Sequence, residues 1–329
     1  MRTGVEYTKH EKVIIVGGGP CGLSAAIELQ AKGIDSLVIE KGNIANSIYQ
    51  YPTHQTFFST SEKLEIGNVA FITENRKPVR NQALTYYREV VKRKKIKVNS
   101  FEKVESVEKT EDGNFLITTD KEKYQADFCV VATGYYDQPN YMNIPGEDMP
   151  KVFHYFKEAH PFFDKDVVVI GGKNSSVDAA LELVKSDARV TVIYRGSSYS
   201  KSVKPWILPE FESLVNKGII RMEFEAVVNE IKDDQVSFYS SEKGLQVIKN
   251  DYVFAMTGYH PDHGFLRRMG IGIDIESGKP MFNEETMESN VGGIFIAGVI
   301  AAGNNANEIF IENGRFHGGL IAEEIAKRI

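Results

Sequence analysis

The chain has 329 residues, of which 42% are hydrophobic and 26% charged, and it carries a net charge of −6. That length exceeds what one hydrophobic core usually supports, so two domains are expected. Mild acidity argues against a nucleic-acid partner, which needs a basic face, and no apolar run reaches the roughly 18 residues of a membrane span.

The first ten residues are polar and hold no apolar signal segment, which makes a cytoplasmic location the expectation. Val13-Ile14-Ile15-Val16 then reads as a buried strand running into Gly17-Gly18-Gly19-Pro20-Cys21-Gly22, a G-x-G-x-x-G turn that opens a helix. The next apolar strand, Ser36–Ile39, ends at Glu40, near the spacing at which an acid accepts hydrogen bonds from an adenosine ribose. A carboxylate there repels a 2′-phosphate. The first site therefore suits FAD, with Gly17, Gly19, Pro20, Gly22, Glu40 and Lys41 around it. A helix is expected from Asn81 to Val91, followed by the basic run Lys92-Arg93-Lys94-Lys95-Ile96-Lys97, whose cations complement the helix dipole and need no anionic partner.

A second strand, turn and helix begins at Asp166–Ile170, continues through Gly171-Gly172-Lys173-Asn174-Ser175-Ser176 into a helix over Val177 to Val184, and is followed by the strand Arg189–Tyr194 and Arg195. Lys173 and Ser176 stand where the second and third glycines of the pattern would be. Small Ser176 still permits close helix packing, and Arg195 would attract a 2′-phosphate, so this site suits NADPH. Two further apolar strands end in Ala132-Thr133-Gly134 and Thr257-Gly258, and a third ends at Ala297-Gly298. Thr133, Gly134 and Gly298 thereby join the flavin site, because open α/β sheets bind ligands at the carboxyl ends of their strands. The stretch from Asn307 to Arg328 reads as one helix.

These pieces predict an α/β protein with two Rossmann-like dinucleotide-binding domains. The NADPH domain, residues 146–284, is inserted into a discontinuous FAD domain of residues 1–145 and 285–329, with Pro145-Gly146 as the outward linker. The chain has only two cysteines, Cys21 and Cys129. They form no C-x-x-C pair, and the seven histidines show no metal-ligand spacing on one helix, so no metal is assigned. Cys129 lies on an apolar strand and is expected in the core. Cys21 starts a helix, where unpaired N–H groups and the positive dipole end favour a thiolate. From the residues alone, its reading as a redox thiol and its reading as a small group packed beside the pyrophosphate stand about even.

The paired glycine turns, Ala132-Thr133-Gly134, Thr257-Gly258 and Ala297-Gly298 resemble the two-dinucleotide-binding-domain flavoproteins, especially their thioredoxin-reductase-like members. A narrower resemblance rests on Gly17–Gly22, on Tyr51-Pro52-Thr53-His54-Gln55-Thr56-Phe57-Phe58-Ser59, on Lys151–Pro161 and on Ile170–Ser175, which look like the bacillithiol disulfide reductase family. That resemblance implies NADPH-dependent, FAD-mediated reduction of bacillithiol disulfide, a role in redox homeostasis. It makes Lys173 a family feature and moves Cys21 toward catalysis; His54 is added as a flavin contact. A homo-oligomer is expected. One departure from the broader flavoprotein pattern is Val299, where an aspartate usually follows Ala-Gly; Asn304, Asn305, Asn307 or Glu308 are the substitutes considered.

Three other functions remain open at this point. A flavin monooxygenase shares both nucleotide folds, although its F-x-G-x-x-x-H signature is replaced by Phe153-His154-Tyr155-Phe156-Lys157-Glu158-Ala159-His160. A ferredoxin or flavodoxin reductase also lacks paired cysteines. The non-enzyme alternative is a redox sensor in which oxidation of Cys21 changes partner binding.

Overall fold

The computed structural model describes residues 9–305 and 307–329. The chain divides into two compact units: one combines the chain up to Gln50 with Gln55–Gln138 and Tyr259–Ile329, and the other combines Tyr51–His54 with Pro139–Gly258.

In the first unit, strands Val98–Ser100, Ser36–Glu40, Lys9–Val16, Lys123–Val131 and Ile294–Ile296 lie side by side in that order, all parallel. Their central residues are buried on both faces, which explains the unbroken apolar runs Val13–Val16 and Leu37–Ile39. The helix Pro20–Ala31 covers one face, packed against the terminal helix His317–Ala326. Strands Val104–Lys109 and Phe115–Thr119 pair antiparallel and lead into the amino-terminal half of Lys123–Val131. Cys129 sits fully buried in this core. The helix expected over 81–91 spans Arg80–Lys94 and carries Lys92, Arg93 and Lys94 in its last turn.

The second unit repeats the plan. Strands Ile220–Glu223, Arg189–Ile193, Asp166–Ile170, Tyr252–Ala255 and Val152–Phe153 form a parallel sheet, and Ala226–Ile231, Gln235–Ser240 and Gly244–Lys249 form an antiparallel one. The helix Asn174–Lys185 follows the second glycine loop, starting three residues earlier than the apolar pattern predicts.

Three sequence expectations differ from the structure. The outward crossing, expected at 145/146, falls at Gln138/Pro139 when the units are divided by packing. The return crossing, expected at 284/285, falls at Gly258/Tyr259 when the units are divided by packing, because Phe265, Leu266, Met269 and Ile271 belong to the core of the first unit. The single helix expected over 307–328 is two, Ile311–Gly314 and His317–Ala326. The Ser24 hydroxyl donates to the Arg315 carbonyl at 2.7 Å, and Asn313 accepts from the Phe310 N–H through its side chain at 2.7 Å, so side chains take up backbone groups around the break.

Candidate dinucleotide and thiol site

Both glycine loops hang from the sheet in the same way. The Gly17 N–H donates to the Ile39 carbonyl at 2.9 Å, and the Gly171 N–H donates to the Ile193 carbonyl at 3.0 Å. Each first glycine has positive φ, +113° and +136°, and a Cβ on either would fall 2.4–2.5 Å from the backbone oxygen of Ala132 or Met256. Only glycine lets the loop pass so close to the neighbouring strand end. At the start of the first helix a Cβ on Gly22 would lie 2.1 Å from the Gly17 carbonyl oxygen, whereas nothing stands within 4 Å of the place a Gly19 Cβ would take. The backbone is thus tight on its inner side and open at its mouth. Pro20 occupies the first turn, where its missing N–H costs nothing, and leaves the donors of that turn as an anion-binding end.

Glu40 is buried, with 6% of its surface exposed. Its carboxylate oxygens accept from the Gly18 and Gly42 N–H groups, each at 2.7 Å. Burial nevertheless holds this carboxyl above its ordinary pKa, the two N–H donors opposing the shift. Lys41 is tied to Asp137 at 2.9 Å, which joins the end of the second strand to the loop after Thr133-Gly134. The Thr133 backbone lies beside Gly17, and Gly134 has φ +70°. Gly298, at φ +80°, meets Cys21, since a Cβ placed on it would stand 3.0 Å from both the Cβ and the Sγ of Cys21. This donor and carboxylate set fits FAD: a backbone cradle with an open mouth for pyrophosphate and a fixed acid for the ribose.

His54 is grouped with the other unit. Its Nε2 lies 3.8 Å from the Glu182 carboxylate and its ring meets Phe156 edge-on. Among the groups considered in place of the aspartate missing at Val299, Glu308 is paired to Lys279 at 2.8 Å, and Asn304 packs over Gly278.

In the second loop, Lys173 is the exposed residue preceding the helix, and Ser175 is exposed in its first turn. Ser176 is 1% exposed and donates its hydroxyl to the Lys173 carbonyl at 2.7 Å, so it packs where the third glycine would and closes the turn on itself. Asn174 donates to the Ser202 carbonyl at 2.9 Å and accepts from the Lys204 N–H at 3.0 Å, which pins the 202–204 segment beside the loop. Arg195 is exposed and makes no ion pair among the described residues. An exposed loop with free cations at its edge fits NADPH, whose 2′-phosphate needs a guanidinium. The sequence reading missed Tyr194. Its ring lies across Gly172 and Gly196, close enough that a Cβ on either glycine would come within 2.5 Å of a ring atom. The one available signal was an aromatic residue immediately before Arg195.

The thiol environment departs from expectation. Cys21 is half-buried as a residue, but its Sγ faces Gly298 and Gly314, and burial pushes the thiol up to about 12. Desolvation outweighs the helix dipole, which acts only over the first turn and contributes far less than burial.

Comparison with known proteins agrees with this geometry. The family model described as pyridine nucleotide-disulphide oxidoreductase matches residues 14–298. The chain is 74% identical over 97% of its length, and 98% of the relative's, to bacilliredoxin reductase Bdr of Bacillus subtilis. Two solved structures named bacillithiol disulfide reductase Bdr superpose closely. The one from Bacillus cereus has a TM-score of 0.96 at 67% identity, covering 98% of this chain and 100% of that one; the one from Staphylococcus aureus has 0.94 at 58%, covering 98% and 99%. No helix among the described residues is long and apolar enough to cross a membrane. Two units each built around a strand, a glycine loop and a helix, and a family match that spans both loops, lead to one conclusion: this chain is an oxidoreductase that belongs to the pyridine nucleotide-disulphide oxidoreductase family.

Proposed function

We propose that the protein reduces bacillithiol disulfide at the expense of NADPH, with Cys21 as its redox thiol. The observation that carries this reading is a lone cysteine in the first turn after the first glycine loop of a chain so similar to Bdr along nearly its whole length. FAD, when bound, takes a hydride from NADPH and supplies two electrons to a disulfide. Gly17, Gly19, Pro20, Gly22, Glu40, Thr133, Gly134 and Gly298 would hold it, and Gly171–Ser176 with Arg195 would hold NADPH.

With no second cysteine nearby in sequence, Cys21 must act alone. It gives up its proton and attacks one sulfur of the substrate; an S–S bond forms to one bacillithiol half, the substrate S–S bond breaks, and the other half leaves as a thiolate. Two electrons and a proton then cleave the mixed disulfide and restore the Cys21 thiolate, which takes up a second proton. Because burial keeps the resting thiol protonated, the attack depends on substrate binding to uncover or deprotonate it rather than on a standing thiolate. The same reading includes a cytoplasmic homo-oligomer. The oligomer, though not the compartment, is supported by Val227, Tyr239 and Leu245, which stand opposite one another on three adjacent strands and are all exposed.

A second reading is favoured by the name of the Bacillus subtilis relative, which points to a bacilliredoxin, a protein disulfide. The test is anaerobic NADPH consumption by the FAD-loaded protein with bacillithiol disulfide, oxidised bacilliredoxin and ferredoxin offered separately. Turnover with bacillithiol disulfide supports the proposal; turnover with ferredoxin alone rejects it.

A further inference from the structure

The walls of the Cys21 thiol come from the far end of the chain. A Cβ on Gly314 would stand 3.1 Å from the Cys21 Sγ and 3.3 Å from the Gly298 Cα, so Gly298 and Gly314 close on the sulfur together. The Gly298 turn is held by a side chain: its N–H donates to His317 Nδ1 at 3.1 Å, and His317 opens the terminal helix. With Nδ1 accepting, the single proton of a neutral imidazole sits on Nε2. Burial favours that neutral form, lowering the His317 pKa from its ordinary value.

We propose that His317 is a positioning residue of the disulfide-reducing site: by accepting the Gly298 N–H at Nδ1 it holds the Gly298–Gly314 wall against Cys21 and thereby sets the reactivity of that thiol. The idea rests on the Cys21 reading for its functional meaning, but the wall is a property of the protein that is measured without turnover. If the acceptor is lost, the buried Gly298 N–H has no partner and its turn relaxes toward one, because a buried donor left unpaired carries its full desolvation penalty. The geometry separates two roles for the ring. Asparagine places an acceptor oxygen near Nδ1, and glutamine places its amide near Nε2.

The experiment follows iodoacetamide labelling of Cys21 by peptide mass spectrometry in the FAD-loaded protein. Wild type is compared with His317→Leu, His317→Gln and His317→Asn, with visible flavin absorbance and thermal unfolding recorded for each. The expected result is labelling about tenfold faster in His317→Leu and His317→Gln, and within about threefold of wild type in His317→Asn, as loss or retention of one hydrogen bond implies. Equal labelling in all four proteins, or His317→Asn as fast as His317→Leu with both folded and flavin-loaded, overturns the proposal. Labelling does not require bacillithiol disulfide, so a protein that failed to turn over that substrate would still give a clear answer about His317.

Discussion

Cys21 shows how far a single position can be understood from its neighbours in sequence. Its place in the first helical turn after a glycine loop was legible, because that depends on residues within five positions. Its protonation state was not, because Gly298 and Gly314 bury the sulfur from nearly the other end of the chain. The two environments predict different alkylation profiles. A thiol held near 12 gives a labelling rate that keeps rising beyond pH 10, whereas a dipole-stabilised thiolate would level off near neutrality. A plateau below pH 8 would contradict the burial argument. Arg195 supplies a second residue-scale prediction. Exposed and without an ion pair, it is available to a 2′-phosphate, so Arg195→Ala should raise KM for NADPH about tenfold while leaving NADH use nearly unchanged, as the loss of one charge-assisted contact implies. Equal losses with both nucleotides would remove Arg195 from that role.

At the level of elements, the strand-turn-helix units were readable because their periods, glycines and apolar runs are local. What the side chains in the loops do was less readable. Asn174 fits the pattern of a phosphate contact, yet both ends of its amide are spent on Ser202 and Lys204. Asn174→Ala should therefore speed hydrogen exchange at Lys204 in the protein without NADPH, because the Lys204 N–H loses its Asn174 acceptor. Unchanged exchange there would leave Asn174 as a nucleotide contact only. The break between Ile311–Gly314 and His317–Ala326 was hidden for a similar reason: the Ser24 hydroxyl that meets the Arg315 carbonyl lies 291 positions away. His54 likewise keeps its contacts with Glu182 and Phe156, a grouping that spacing could not indicate.

For the whole molecule, two repeated units were expected from two glycine loops, and each unit contains a four-strand parallel core of the same order; the fifth parallel strand is the last of its unit in one, Ile294–Ile296, and the first in the other, Val152–Phe153. Their exact limits depend on packing: Phe265, Leu266 and Met269 look like an amphipathic helix that either unit could claim until the core is seen. The chain end is fastened by Arg328, whose guanidinium donates to both oxygens of Glu288 at 2.6 and 2.7 Å and holds that carboxyl below its usual range. A carboxylate whose folded pKa is depressed adds stability above its unfolded pKa and loses it as pH falls through the folded value. Glu288→Gln should thus lower stability at pH 7 by about 1 kcal/mol, a modest figure because Arg328 is partly solvated, and the difference from wild type should vanish in acid below the ordinary glutamate range. A difference that persists below the folded pKa of Glu288, read from its own titration, would assign the effect to packing instead.

The central claim is that one thiol, Cys21, carries the disulfide chemistry. Its most direct test is the mass of the Cys21 peptide after anaerobic reaction of the FAD-loaded protein with bacillithiol disulfide before NADPH is added, with Cys21→Ser in parallel for NADPH turnover. The account predicts one bacillithiol on Cys21, its release on adding NADPH, and no turnover in Cys21→Ser. An unmodified Cys21 together with full turnover by Cys21→Ser would show that electrons reach the disulfide without this thiol.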